Sequence, residues 1–186
     1  NTAGILSLHG VGTCTITATT SGGCVAICHI IVLRPVVKPG ANGIVYVDSS
    51  GALTGDGSSW AKAVDSLHVA LNAADTSTKT KQIWVAKGTY QPEANQSFAM
   101  IKNVKIYGGF AGTETSLSQR NLAAGHTSIL KGNGSTVIYN NNNGLTSADT
   151  LDGFTITGGS GIGGDGGGMY NTSVSPTIAN CIFSGN

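Results

Sequence analysis

Over most of this 186-residue chain, apolar side chains alternate with Thr, Ser, Lys or Asn in short runs punctuated by Gly and Asn. A period of two is the spacing of a strand with one buried face. In "GTCTITATT", "SGG" and "CVAICHIIVL", Thr and β-branched residues flank a Gly-Gly turn, which predicts an antiparallel hairpin; "GILSLHG" reads as a strand before it. A hairpin centred near Ser21 sets Cys14 opposite Cys28, each seven residues from the centre. That register permits either a cross-strand disulfide or a pair of buried thiols, while Cys24 has no local partner. The stretch "RPVVKPGANG" carries two prolines and two glycines and reads as a linker over 34–43, between a module over 1–33 and a region over 44–186.

One stretch departs from period two. Trp60, Val64, Leu67, Leu71 and Ala74 are spaced four, three, four and three, a single apolar stripe that predicts a helix over about 58–75, N-capped by Ser58 or Ser59. A lone amphipathic helix beginning a β-rich region suits the covering of an open end of a solenoid. Further on, "IKNVKIYGG", "LDGFTITGG" and "IANCIFSGN" share one pattern. Ile101, Leu151 and Ile178 take its first apolar position, Val104, Phe154 and Cys181 the second, and Ile106, Ile156 and Phe183 the third. Asn103, Gly153 and Asn180 precede the second position, and Gly108, Gly158 and Gly185 follow the third; residues that tolerate a left-handed backbone predict corners at both places. "HTSILKGN" and "QIWVAKG" fit more loosely through Leu130 and Val85, which puts the third position at 85, 106, 130, 156 and 183, with intervals of 21, 24, 26 and 27. A repeat of this length with corners at set places predicts a parallel β-helix, each coil burying its inward side chains on the next.

Composition narrows the class. Charged residues are 10% of the chain and the formal net charge is +1, so bulk charge selects neither nucleic acid nor an anionic membrane. The 28 glycines, many Asn, Ser and Thr, and only two Arg describe short strands joined by turns, a composition common in secreted β-proteins. The longest apolar run, "CVAICHIIVL", contains a His and is about half the ~20 residues a spanning helix needs. No Met, basic segment or cleavage site precedes Asn1, which reads as a chain starting inside a longer or processed polypeptide.

Residues 1–33 resemble the C-terminal half of a group-2 bacterial Ig-like domain, whose early strands are missing here; three strands do not close a sandwich. "GGGMY" and "FSGN" resemble the paired short motifs of polymorphic outer-membrane-protein repeats in autotransporters. With "DGSSWAKAVDSLHVAL", "IWVAKGTYQP", "KIYGGFAGTETSLSQRN" and "LDGFTITGG", residues 44–186 resemble the N-terminal part of right-handed β-helix proteins that Bacteroidetes-type bacteria display or secrete. The resemblance implies an all-β right-handed parallel β-helix with one N-terminal capping α-helix, behind a partial Ig-like β-sandwich, on an adhesin-like protein at the bacterial outer cell surface or outside the cell.

Some β-helix proteins are polysaccharide lyases or glycosidases, so the nine carboxylates matter: Asp48, Asp56, Asp65, Asp75, Glu93, Glu114, Asp149, Asp152 and Asp165. A glycosidase needs two converging carboxyl groups, and the repeat region offers only Asp149, Asp152 and Asp165. Asp152 stands where other repeats carry Lys102 and Ala179, a turn position. A lyase needs a base and Ca²⁺ or a basic neutraliser; Arg120 and Lys131 are available, and nothing in the sequence sets either beside the acids. No residue is assigned as catalytic. Asp48 and Asp56 in "DSSGALTGDGSS" offer oxygen ligands to Ca²⁺ without EF-hand spacing, against which a plain turn competes; no other cofactor is expected. His9, His29, His68 and His126 are scattered, and "GSGIGGDGGG" lacks the following helix of a phosphate cradle and reads as a flexible insertion. The tripeptides at Asn95, Asn133 and Asn171 match the glycosylation pattern and are read as chance.

The reading is a non-catalytic extracellular structural or adhesin-like protein, an excerpt of a much larger chain whose partners are its further domains, other copies, or host and environmental glycans and proteins. One alternative is a subunit of a self-assembling fibre closed by strand or coil exchange between copies. Another is a carbohydrate-active enzyme whose catalytic coils lie beyond residue 186.

Overall fold

The computed structural model describes residues 12–161 and 166–186. The rest of the expected Ig-like module over 1–11, His9, and residues 162–165 of the glycine-rich stretch with Asp165, lie outside the described residues. Two compact units are present, divided between Pro35 and Val36.

The first unit is a hairpin of β1 (Gly12–Thr19) and β2 (Val25–Val32). Its loop, Ser21–Gly23, is centred on Gly22, one residue later than expected: Thr20 N–H donates to Cys24 O at 2.9 Å, Gly23 N–H donates to Thr20 O, and Gly23 takes φ +82°. A three-residue loop closed by a left-handed glycine is a common hairpin solution. It moves the register, so Cys14 faces Ile30 and Cys28 faces Ile16. The expected Cys14–Cys28 pairing is therefore corrected. The two residues are offset by two along the strands, and Cys14, Cys24 and Cys28 are exposed free thiols.

The second unit is built on parallel strands. A five-stranded sheet runs β3 (Ile44–Val47), β4 (Gln82–Ala86), β6 (Lys105–Phe110), β9 (Thr150–Asp152), β12 (Thr177–Ala179). A four-stranded sheet runs β5 (Gly88–Tyr90), β7 (Ser128–Lys131), β10 (Phe154–Thr157), β13 (Ile182–Phe183), and β8 (Ile138–Asn141) pairs with β11 (Met169–Thr172). One core receives Val45, Ile83, Ile106 and Leu151 from the first sheet, Leu130 and Ile156 from the second and Ile138 from the third. The end of the expected linker belongs here too: Val37 packs on this core and Lys38 N–H donates to Asp56 O.

The right-handed parallel β-helix preceded by a partial sandwich is corrected by this arrangement. Among the described residues the strands fall into small separate sheets, one antiparallel and three parallel, with no closed solenoid. The expected columns break for a definable reason. Leu151 pairs with Ile178 as expected, but its other neighbour is Ile106, while Ile101 lies outside any strand. Val85 and Ile106 belong to the five-stranded sheet, where Ile83 is the partner of Ile106; Leu130, Ile156 and Phe183 align in the four-stranded sheet. Of the second column, Phe154 and Cys181 keep step, each just before the pairing of Thr155 with Ile182, whereas Val104 leads into β6 in the other sheet and does not align with them. The shared motif specifies a corner followed by an inward alternation and is used on entry to two different sheets.

At the corners, Asn103, Gly153, Asn180, Gly158 and Gly185 have φ of +63°, +83°, +49°, +68° and +67°. Gly108 differs. It sits inside β6, where a Cβ would meet Gly153 O at 2.7 Å and the Phe154 ring at 2.9 Å, so close approach of the neighbouring chain is what demands glycine.

The helix is shorter than its stripe. Trp60–Lys62 forms a 3₁₀ turn, Val64 is extended and bridges Val47, and α1 covers only Leu67–Asp75, with Ser66 Oγ accepting from Val69 N–H. Residue 64 is drawn out of a helix because its N–H donates to Tyr46 O and its carbonyl accepts from Asp48 N–H, extending the sheet edge. Leu67, Ala70, Leu71 and Ala74 enter the main core with Val64, whereas Trp60 joins a second cluster with Tyr46, Trp84, Phe110 and Tyr107. The five-stranded sheet is thus buried on both faces where β3 and β4 lie, as parallel sheets require.

Candidate functional site

Five of the acids, Asp48, Asp56, Glu114, Asp149 and Asp152, are held by backbone amides or by neighbouring side chains. Asp149 is buried and accepts from Asn103 N–H at 2.6 Å and Thr146 N–H at 2.7 Å, tying two loops together. Burial alone would raise the Glu114 carboxyl, but the amides of Ala111, Thr113 and Gly112 outweigh it and hold its pKa below the usual range. Asp152 accepts from Arg120 Nη2 at 3.0 Å and from Asn180 Nδ2 at 2.9 Å. Arg120 also donates to Gly108 O and lies 5.4 Å from the Tyr107 ring centre and 5.9 Å from that of Phe110. Its guanidinium fastens the loop after β6 over the aromatic cluster, and Trp60 Nε1 fastens it again at Glu114 O. Asp152 and Arg120 are thus a latch, and Lys131 is exposed at the end of β7.

The proposed Ca²⁺ ligands close local turns. Asp48 Oδ1 accepts from the Ser50 amide and hydroxyl. Asp56 Oδ1 accepts from the Ser58 hydroxyl at 2.6 Å and amide at 3.0 Å, and Lys38 Nζ lies 3.4 Å from Oδ2. The Ser58 bonds, with help from Lys38, lower the Asp56 pKa to about 2. Among the described residues no three His, Cys, Asp or Glu side chains gather as a metal set. His29 is near Thr15 Oγ1 at 3.0 Å on the hairpin, and His68 lines a hollow beside α1. Cys181 is half-buried, which pushes its thiol pKa up.

The concave surface lies elsewhere. A hollow of about 350 Å³ opens where α1 ends, walled by Asp75–Thr78, Thr80, Lys81, Met100–Asn103 and Asn143. A second, of about 700 Å³, shares Thr78 and Lys81 with it and continues past Lys79 to Lys38–Gly43. Main-chain bonding builds this edge: Lys81 N–H donates to Gly43 O, and Lys105 N–H donates to Lys81 O, stacking three successive strand entries. Sequence reasoning passed over Lys79, Lys81 and Lys102. The available signal was lysine recurring just before strands, in "TKTKQ" and "IKNVK".

No protein-family model matches the chain, and neither a curated protein nor a solved structure matches it. Among the described residues no helix is long and apolar enough to cross a membrane.

Proposed function

We propose that this chain is a non-catalytic structural and adhesive module acting at a cell surface or outside the cell. The observation that carries the reading is the employment of its acids: Asp48, Asp56, Glu114, Asp149 and Asp152 are each spent on backbone amides, hydroxyls or Arg120, where an acid–base pair would need free carboxyl groups facing a cleft. Low charge and a surface of Asn, Ser, Thr and Gly support an extracellular setting. Two measurements test it. Incubation with a panel of acidic and neutral polysaccharides is expected to release neither reducing ends nor unsaturated uronate absorbance, and protease added to intact source cells is expected to remove the protein. Turnover of any polysaccharide, or full protection in intact cells, would refute it.

A second reading, assembly of copies into a fibre, is favoured by the strand edges. β11, β12 and β13 each end their sheet, and Ile182 and Phe183 on the last strand are exposed. Sedimentation at rising concentration separates the two: a monomer at all concentrations excludes the fibre.

A further inference from the structure

We propose that the double hollow at the end of α1 binds an acidic saccharide, with Lys79, Lys81 and Lys102 receiving its anionic groups. This names a ligand class for the adhesive role and rests on that reading. Of eight lysines in the chain, Lys38, Lys79, Lys81 and Lys102 line the two hollows. Lys38 is engaged by Asp56; the other three are exposed, and among the described residues no carboxylate forms an ion pair with them. Asp75 is the one acid in the walls. In a chain with so few charges, this concentrates positive potential along one recess.

Two of the three ammonium groups stand on prepared ground. A Cβ on Gly43 would lie 3.1 Å from Lys81 Cγ, and a Cβ on Gly144 would lie 3.4 Å from Lys102 Cδ. Both glycines have positive φ, +77° and +71°, so the chain turns there without a side chain and the lysine stems lie across the bare backbone. Lys81 Nζ also donates to Thr78 O at 3.2 Å, which further holds the Lys81 head.

The remaining walls decide the class of anion. They carry hydroxyl and amide groups, Thr76, Ser77, Thr78 and Asn103 among them, and no aromatic ring for base stacking. At the inner side Asn143 is fixed by its Nδ2, which donates to Met100 O at 2.9 Å, while its Oδ1 is buried away from the hollow's surface. Asp75, exposed in the wall, accepts a sugar hydroxyl. Carboxylated and sulfated saccharides share this chemistry.

The test is a titration of the whole chain, followed by amide NMR shifts, with a galacturonate hexasaccharide, a sulfated hexasaccharide, a neutral maltohexaose and inorganic polyphosphate. One of the acidic saccharides is expected to shift amides around Thr76–Lys81 and Lys102–Asn103, and the tighter of the two identifies the anion. The Lys81→Ala, Lys102→Ala double variant is expected to bind about tenfold more weakly, while Lys87→Ala and Lys131→Ala bind as the parent does. Equal binding of maltohexaose or polyphosphate, equal loss in the two control variants, or shifts that fall elsewhere would overturn the assignment and leave the non-catalytic reading standing. Conversion of a bound hexasaccharide to products would overturn that reading and support the groove as a binding site. The shift map on the parent chain is decisive even where the double variant does not fold.

Discussion

The hydroxyl of Ser128 ties the parallel sheets to one another, and its removal has a calculable cost. Ser128 opens β7 in the four-stranded sheet and is fully buried. Its Oγ accepts from Gly109 N–H at 2.8 Å and donates toward Ala86 O at 2.9 Å and Val85 O at 3.1 Å, all three on the five-stranded sheet. In Ser128→Ala the Gly109 N–H is left in a dry interior. Ala86 O keeps a second donor, the Tyr90 hydroxyl at 2.9 Å, so the amide bears most of the loss. A buried unsatisfied group costs about 1–3 kcal/mol, and the expected destabilisation is about 2 kcal/mol. With a urea m-value of about 2 kcal/mol/M, the midpoint falls by about 1 M at unchanged slope. Thr127→Ala, at an exposed neighbouring position, is the control and is expected to stay within about 0.5 kcal/mol. Because Tyr90 and Ser128 share Ala86 O, Tyr90→Phe should couple to Ser128→Ala by at least about 0.5 kcal/mol in a double-mutant cycle. A Ser128→Ala loss below about 0.5 kcal/mol would refute the claim that this hydroxyl bridges the sheets.

Acid should act on Asp56 in a defined window. Its folded pKa of about 2 lies below the ordinary 3.8, so its stabilising contribution is complete above pH 4 and fades as pH falls toward 2; the stability gap between parent and Asp56→Asn should shrink over that interval, and a pH-independent gap refutes the assignment. Gly108→Ala should cost about 1–3 kcal/mol by chemical denaturation, since its methyl meets Gly153 O and the Phe154 ring, whereas Gly125→Ala, with nothing within 4 Å of its Cβ, should cost about 1 kcal/mol from its φ of +74° alone; the reverse order would sink the close-approach argument. Ellman's reagent should titrate Cys14, Cys24 and Cys28 rapidly in the native chain and Cys181 more slowly, because burial raises the latter's pKa; fewer than three fast thiols would restore a disulfide on the hairpin.

Strand positions were legible where alternation was clear. Runs around Ile44–Val47, Gln82–Ala86, Lys105–Phe110 and Phe154–Thr157 announce themselves by inward Val, Ile and Phe. β8 and β11 did not, because their pairing rests on polar groups: Asn140 is fully buried, donates to Asn171 Oδ1 at 2.8 Å and accepts from Met100 N–H, and Tyr139 stacks on Tyr170 at 5.2 Å. An Asn-rich run reads as loop until a neighbouring strand satisfies it. The candidate groove escaped for a related reason. Lys81 and Lys102 are 21 positions apart, and lysine before a strand is ordinary until strand entries are stacked.

Local conformation was the sequence's to decide. Asn and Gly at 103, 153, 158, 180 and 185 determine left-handed corners because the energy of a backbone turn depends on the side chain at that residue. Partner choice belonged to the tertiary structure. The same corner-and-alternation motif feeds Ile106 into one sheet and Ile156 into another, and the stripe from Trp60 to Ala74 is divided between two cores because β3 draws Val64 into a bridge. Burial free energy rewards an apolar side chain for leaving water, whichever neighbour covers it. Register and sheet membership are set by the backbone hydrogen bonds and close approaches, such as Gly108 against Gly153 and Ser128 against Gly109, that exist only once distant segments meet.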